Sequence, residues 1–366
     1  MYQTIILGSI LLVSFYILKR FRKPKLNMPP LVRYKIPIIG HTYSYMFNSE
    51  EFIKQCKKEY GEIFSIYIWG EVRTIVGKEY SQEVLTRDDA FSFGKAFVET
   101  IPLDLLLKHA GVTNVPKLLK DYIFCKLNFY SERMQKCLHS AIQKYIDTNV
   151  NDGPKEESKH DEVITTFAGF ISDLLTLQKI PPLLNFYYPG YLNQLYEEQL
   201  EVHKEADENG LLPFEALDNM KKLDSFIRES LRLTGHILAL DHSVLKDYTF
   251  SNGLQLPKDH TVKIYVDDIY QDELLQGPNP KSFEPFRHVD TNVPASKIGK
   301  NFMLFGGGKH ACPGRHFAIN EIKFFLHNII LKYNICTKSG KIEGRRMYGP
   351  TAYPSSSGII IEKRVK

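Results

Sequence analysis

Residues 305–318 (FGGGKHACPGRHFA) place one thiol, Cys312, between three consecutive glycines and a fourth, Gly314. Glycine adopts positive φ at little steric cost, so these positions would let a planar or bulky group approach the backbone closely. A helix is predicted to begin at Phe317, shortly after the thiol. Backbone N–H groups and the helix dipole at such an end favour the thiolate over the thiol. The stretch therefore predicts a cysteine suited to act as an anionic sulfur ligand.

A single thiolate of this kind suits a soft or borderline metal. Because no partner ligand lies nearby in the sequence, the metal must bring its other ligands, as haem iron does when it takes one axial thiolate. The five cysteines include no CxxC pair, which argues against a zinc site. Two alternatives remain open at this point: a buried free cysteine in a glycine-rich turn, and a cysteine nucleophile assisted by His310 or His316.

Two charged motifs lie upstream of the cysteine. Glu229 and Arg232 are three residues apart on a predicted helix, which places them on the same side. Arg287 follows in the proline-containing stretch 283–287 (FEPFR). A buried carboxylate can accept hydrogen bonds from two guanidinium groups at once. An ExxR pair by itself is not informative, because any charged helix can carry such a pair in contact with solvent. It becomes informative here because it occurs in series with Arg287 and the cysteine loop.

The order and spacing of these three motifs resemble the cytochrome P450 family. Residues 305–314 match that family's pattern of Phe, two spacers, Gly, three spacers, Cys, one spacer and Gly, and Ala318 follows six residues after the cysteine. The resemblance implies a haem b cofactor, with Cys312 as the axial thiolate ligand of its iron.

The resemblance also implies roles around that haem. Phe305 would shield the sulfur, Gly314 would complete the haem-binding loop, and His310 would contact a haem propionate as a charge-assisted donor. His242 lies where relatives often place basic residues and is a second propionate candidate. The resemblance implies three structural residues that lock the haem core and do not act as catalytic acids or bases: Glu229, Arg232 and Arg287.

The family's distal helix has only a weak counterpart. Residues 167–173 (FAGFISD) offer Ser172 and Asp173 as candidates for its proton-relaying acid–alcohol pair. Pro181 and Pro182 would break such a helix halfway, because each removes a backbone donor and clashes with the preceding turn. We therefore expect residues 149–190 to be a degenerate or internally deleted region in which the distal helix is incomplete.

The elements that must position these residues follow from the hydrophobic pattern. Helical periodicity predicts helices at 50–60, 118–148, 191–208, 213–233 and 318–332. Strand patterns occur at 63–69 and 72–76 and between 242 and 266, with a turn at 251–253. The fold class expected is mainly α with minor β, a cytochrome P450-like fold in which residues 26–366 form a single haem-binding catalytic domain.

The first 25 residues form a separate unit. Residues 2–18 carry no charge, and five basic residues follow between Lys19 and Lys25. The apolar run sits at the lower length limit for spanning a bilayer, and the basic flank should stay cytosolic. This pattern predicts a single-pass anchor, in the endoplasmic reticulum membrane by resemblance to microsomal relatives, with the body on the cytosolic side. A buried core helix is the alternative. The net charge of +5 gives no indication of nucleic-acid binding, because much of it lies in this cluster.

The leading functional hypothesis is a membrane-anchored haem-thiolate monooxygenase. The resemblance implies that it inserts one oxygen atom from O2 into a lipophilic substrate, such as a sterol, terpenoid or fatty acid, with electrons from an NADPH-dependent reductase. Two alternatives stand beside it: a non-catalytic haem-binding remnant, and a relative that rearranges hydroperoxides without a reductase. Either alternative would tolerate the loss of the distal proton relay.

Overall fold

The computed structural model describes residues 26–100, 132–140, 189–337, 346–353 and 359–364. The predicted anchor at 1–25, the relay candidates Ser172 and Asp173, and most of the region 149–190 lie outside the described residues. Among the residues that are described, no helix has both the length and the apolar character needed to cross a bilayer.

Helical residues outnumber strand residues in the described chain, as the sequence predicts. In chain order the helices are α1 (Thr42–Phe47), α2 (Ser49–Tyr60), α3 (Ser81–Thr86), α4 (Phe93–Thr100), a helix at 132–140, α5 (Pro189–His203), α6 (Lys221–Leu233), α7 (Val266–Tyr270), α8 (Glu273–Gln276) and α9 (Arg315–Lys332). Short 3₁₀ turns occur at Phe214–Asn219 and Gly308–His310.

The strands form one larger sheet and three two-stranded ribbons. Their bounds are β1 (Ile63–Ile68), β2 (Glu71–Val76), β3 (Phe91–Ser92), β4 (Leu238–Val244), β5 (Tyr248–Thr249), β6 (Gln255–Leu256), β7 (Thr261–Tyr265), β8 (Tyr333–Thr337), β9 (Arg346–Tyr348), β10 (Thr351–Tyr353) and β11 (Ile359–Lys363). The larger sheet has the order β1-β2-β7-β4-β3, with β2 and β7 parallel and the other neighbours antiparallel. Strands from the N-terminal and C-terminal halves of the chain therefore share this sheet.

Several predicted elements are confirmed. Helix α2 ends at Tyr60, and Gly61 follows it with φ 89°. The β1–β2 hairpin turns at Trp69 and Gly70, both with positive φ. The predicted helix 191–208 is shorter at its C-terminal end, because α5 stops at His203.

The single helix predicted at 213–233 is wrong. A 3₁₀ turn ends at Asn219, and α6 begins after Met220, whose ψ of 60° interrupts the helix. The carboxylate of Glu198 on α5 accepts hydrogen bonds from the backbone N–H groups of Lys222 and Leu223, at 2.6 and 2.9 Å. Free N–H groups at a helix start need such partners. A side chain from another helix therefore caps α6.

Two apolar cores meet near the cysteine loop. One is formed largely by residues of α5, α6 and α9, and the other lies between the sheet, α3 and α7. Phe305 packs against both cores, as does Leu231 of α6. The first residue of the cysteine loop is therefore fixed where the two cores join.

Candidate functional site

The cysteine loop is closed by its own backbone. The N–H of Cys312 donates to the carbonyl of Phe305 at 2.7 Å, and the 3₁₀ turn Gly308–His310 lies between them. Gly306 and Gly308 have φ of 78° and 58°, the left-handed conformation that favours glycine. The Cys312 thiol is free and exposed. The loop thus presents one sulfur outward from a tightly turned backbone.

Gly307 and Gly308 of the cysteine loop leave room for the end of α3. A Cβ on Gly307 would lie 3.1 Å from the side chain of Leu85, and a Cβ on Gly308 would lie 2.3 Å from the carbonyl oxygen of Leu85. Gly307 does not use the positive φ that glycine permits, since it is extended at −154°, and neither does Gly314 at −85°. Glycine therefore lets the loop pack onto the end of α3.

Replacement of Gly308 by Ala should destabilise the protein by more than about 1 kcal/mol relative to Gly70→Ala. Both glycines have positive φ, but a Cβ at Gly70 meets nothing within 4 Å, whereas one at Gly308 meets the Leu85 backbone. Urea unfolding midpoints of the two variants measure the difference. Equal midpoints would show that the loop does not need its close contact with α3.

Helix α9 begins directly after the thiol. Its first residue, Arg315, donates its backbone N–H and its Nη1 to the carbonyl of Cys312, at 3.4 and 3.1 Å. The helix starts two residues before the predicted Phe317, with Gly314 at its N-cap position and no side-chain cap. The cysteine therefore lies at the N-terminal end of an 18-residue helix.

The structure brings Glu229, Arg232 and Arg287 together in the interior. Arg232 donates to both carboxylate oxygens of Glu229, from Nε at 2.8 Å and from Nη2 at 2.7 Å. Arg287 adds a hydrogen bond from Nε at 3.1 Å, and the backbone N–H of Glu284 adds another at 3.2 Å. The Glu229 side chain is 0% exposed. One buried carboxylate thus joins α6 to the stretch that carries Arg287.

The same two arginines hold the irregular segment after α7 by its carbonyl groups. Arg232 donates to the carbonyls of Tyr270 and Pro280, and Arg287 donates to those of Gln276, Pro278, Asn279 and Ser282. Burial raises the pKa of Glu229, but the hydrogen bonds and charge of Arg232 outweigh it and lower the pKa to about 2. The carboxylate is therefore ionised at neutral pH, so it stabilises both guanidinium groups.

His310 points towards an aspartate on the segment after α3. Its Nε2 lies 3.4 Å from Oδ1 of Asp88, and Nζ of Lys309 lies 3.3 Å from Oδ2. Within the part of the chain that the structure describes, Oδ1 of Asp88 is buried and accepts no hydrogen bond. Asp88 belongs to no recognisable motif in the sequence. Only its position beside the loop in the structure identifies it as a residue of the site.

His242 is turned inward by an irregularity in β4. The register with β7 shifts between Ala239 and His242, and Leu240 has φ 56°, which is unusual for a residue other than glycine. The ring is 1% exposed, and its Nδ1 lies 2.6 Å from the carbonyl of Leu240. Burial is the largest effect on the pKa of His242 and lowers it, and the charge of His310 also lowers it.

A sequence model of the family described as Cytochrome P450 matches residues 183–350, which contain all three motifs. These residues belong to the cytochrome P450 family. Cytochrome P450 monooxygenase 71 of Postia placenta is 39% identical over 186 residues, covering 48% of this chain and 36% of that protein. Cytochrome P450 monooxygenase AN1598 of Emericella nidulans is 28% identical over 241 residues, covering 62% and 43%. The chain thus spans less than half the length of these curated relatives.

The fold comparison agrees with the family. A solved structure of a cyanobacterial cytochrome P450, CYP120A1 with retinoic acid bound, covers 93% of this chain and 100% of its own. The TM-score is 0.58 at 18% sequence identity. This likeness shows the cytochrome P450 fold.

A cytochrome P450 segment implies a haem iron with a cysteine thiolate ligand, and the residues present fit that group. The loop offers one free, exposed thiol at the position of the family's cysteine. The imidazole of His310 lies on the loop, where its Nε2 already faces the carboxylate of Asp88. The buried, unsatisfied Oδ1 of Asp88 beside His310 is the kind of polar atom that a completed cofactor site would satisfy through that histidine.

Proposed function

We propose that this chain is a haem-thiolate monooxygenase that binds haem b and inserts one oxygen atom from O2 into a lipophilic substrate, such as a sterol, terpenoid or fatty acid. An NADPH-dependent reductase would deliver the electrons. The observation that carries the proposal is the free, exposed thiol of Cys312 on a cytochrome P450 loop. The retinoic acid bound to the structural neighbour is an apolar carboxylic acid, which supports a lipophilic substrate class.

Each residue of the site has a defined task in this proposal. Thiolate-ligated haem supplies the chemistry that cleaves the O–O bond of dioxygen. Cys312 provides the sulfur ligand, and Phe305 packs the start of the loop into both cores. His310 and His242 would hold the haem carboxylates. The carboxylate of Glu229 joins α6 to the segment before the loop and keeps that segment in place.

Anchoring in the endoplasmic reticulum membrane, with the body on the cytosolic side, belongs to the same proposal. The uncharged run at 2–18 and its basic flank support it. The first described residues also carry apolar side chains that are unusually exposed: Ile36, Ile38, Tyr43, Phe47 and Trp69. Ile38 alone is 84% exposed. Several exposed apolar side chains in the part of the sequence that follows the predicted anchor are consistent with a membrane-facing side.

The test is the difference spectrum of the reduced protein under carbon monoxide. The full chain should show the long-wavelength Soret band of thiolate-ligated haem, and Cys312→Ala should lose it completely because no other sulfur replaces the ligand. Cys137→Ala is the matched control, since Cys137 is also a free, exposed cysteine. A folded wild-type protein without the band would refute the proposal. Turnover of an apolar test substrate only with NADPH and reductase would then separate it from hydroperoxide rearrangement.

A second candidate function is a haem-binding remnant without catalysis. It is favoured by the start of the family match at residue 183, which leaves the region around Ser172 and Asp173 outside the matched residues. A remnant would show the same carbon monoxide spectrum. It would not, however, consume NADPH in proportion to a hydroxylated product.

A further inference from the structure

We infer that Asp88 is a positioning residue that orients His310 so that the ring presents its Nδ1 to a carboxylate of the bound haem. This inference rests on the proposed haem site. It concerns a residue that lies more than 200 positions before the cysteine loop and outside every motif of the sequence.

The contact between Asp88 and His310 is set by backbone packing. The end of α3 presses against Gly307 and Gly308, where a Cβ would meet Leu85, so the distance between the Asp88 backbone and the loop has little freedom. Oδ1 of Asp88 then lies 3.4 Å from Nε2 of His310. A shift of a few tenths of an ångström would turn this contact into a hydrogen bond.

The unsatisfied oxygen favours that shift. Oδ1 of Asp88 is buried and accepts no hydrogen bond within the described chain, and a buried acceptor without a donor is costly. Nε2 of His310 is the ring nitrogen that faces it. A carboxylate that binds one ring nitrogen of histidine fixes the orientation of the ring and the role of the other nitrogen. Nδ1 of His310 is thereby directed away from Asp88.

Lys309 and Asp89 help to distinguish this role from a general charge effect. Lys309 also reaches Asp88, at 3.3 Å, but its side chain is 86% exposed, so the ion pair contributes little. Asp89 is the adjacent carboxylate, is exposed, and pairs with Arg87 and Lys246 rather than with His310. Removal of Asp89 therefore changes the net charge equally without touching His310.

The experiment measures the rate of haem loss from the full-length protein to excess apomyoglobin. Asp88→Asn should release haem about tenfold faster than the wild type, and Asp89→Asn should release it at the wild-type rate. In a His310→Ala background, Asp88→Asn should add nothing further, because Asp88 acts through His310. In a Lys309→Ala background, the effect of Asp88→Asn should persist in full.

Each alternative outcome has a distinct meaning. A wild-type protein that shows no thiolate-ligated haem would overturn both the proposed function and this inference. A normal wild-type spectrum combined with an Asp88→Asn effect that is undiminished in His310→Ala would overturn the inference alone, because Asp88 would then act only on folding. Asp88→Glu keeps the carboxylate and should retain haem better than Asp88→Asn, which provides a second variant if the amide does not fold.

Discussion

Replacement of Glu229 by Gln is expected to destabilise the protein by about 3–5 kcal/mol, because it leaves two buried guanidinium groups without their shared carboxylate. Arg232 is 1% exposed and Arg287 is 7% exposed, so water cannot replace the lost acceptor. The loss should be seen as a lower urea midpoint with haem bound or absent. An effect below about 1 kcal/mol would mean that the ion cluster does not lock the structure.

Glu201→Gln is the matched control for this substitution. Glu201, in the last turn of α5, and Lys204, just after it, form an ion pair with the same three-residue spacing as Glu229 and Arg232. Both partners of the control pair are exposed, and exposed pairs contribute no more than about 1 kcal/mol. Equal effects of the two substitutions would mean that the loss of stability comes from the changed charge of the helix and not from burial of the Glu229 carboxylate.

The second large effect is a loss of stability in mild acid caused by His327. This ring lies on α9, is 2% exposed, and contacts His203 of α5, with 3.2 Å between Nε2 and Nδ1. Its Nδ1–H donates to Oε1 of Gln199 at 2.8 Å. Burial, followed by the charges of His203 and Lys332, lowers the pKa of His327 to about 3. Lys332 in turn contacts His139. The ionisable groups named here around His327 are therefore all bases.

The direction of the pH effect follows from the lowered pKa. The unfolded chain takes up a proton at His327 near pH 6.5, whereas the folded chain does not until about pH 3. The contribution of neutral His327 to the free energy of unfolding is therefore complete above pH 6.5. Below that pH the contribution is lost by about 1.4 kcal/mol per pH unit. In His327→Gln, which cannot ionise, the free energy of unfolding should fall less steeply between pH 6.5 and 5. Parallel curves for variant and wild type would contradict the assignment.

The ion cluster was predictable from sequence because its geometry is partly local. Glu229 and Arg232 share a helix face by their spacing alone, and Arg287 follows in a recognisable stretch. The sequence also indicates which residue types surround the thiol. Its roles for Cys312, Phe305, His310, Gly314 and His242 stay predictions until the haem site is measured.

The remaining features depend on contacts between distant parts of the chain. The cap that Glu198 provides to α6 has no local signal, because the capping residue is on another helix. The position of Asp88 beside His310 is equally invisible, since it follows from the packing of Leu85 on Gly308. The positive φ of Leu240, 56°, could not be predicted either, because a leucine in a strand pattern predicts extended backbone.

The parallel pairing of β2 with β7 has a consequence for chain length. Val76 ends β2 and Thr261 begins β7, so about half of the chain, including β3 and β4 of the same sheet, lies between these two strands. The entropy of closing a long loop grows only logarithmically with its length, by about 0.6 kcal/mol for each doubling. Shortening or lengthening the connections between the elements of this interval therefore changes the free energy of closing the sheet by very little. Evolution can vary the lengths of these connections while the same sheet still assembles from strands of the N-terminal and C-terminal halves.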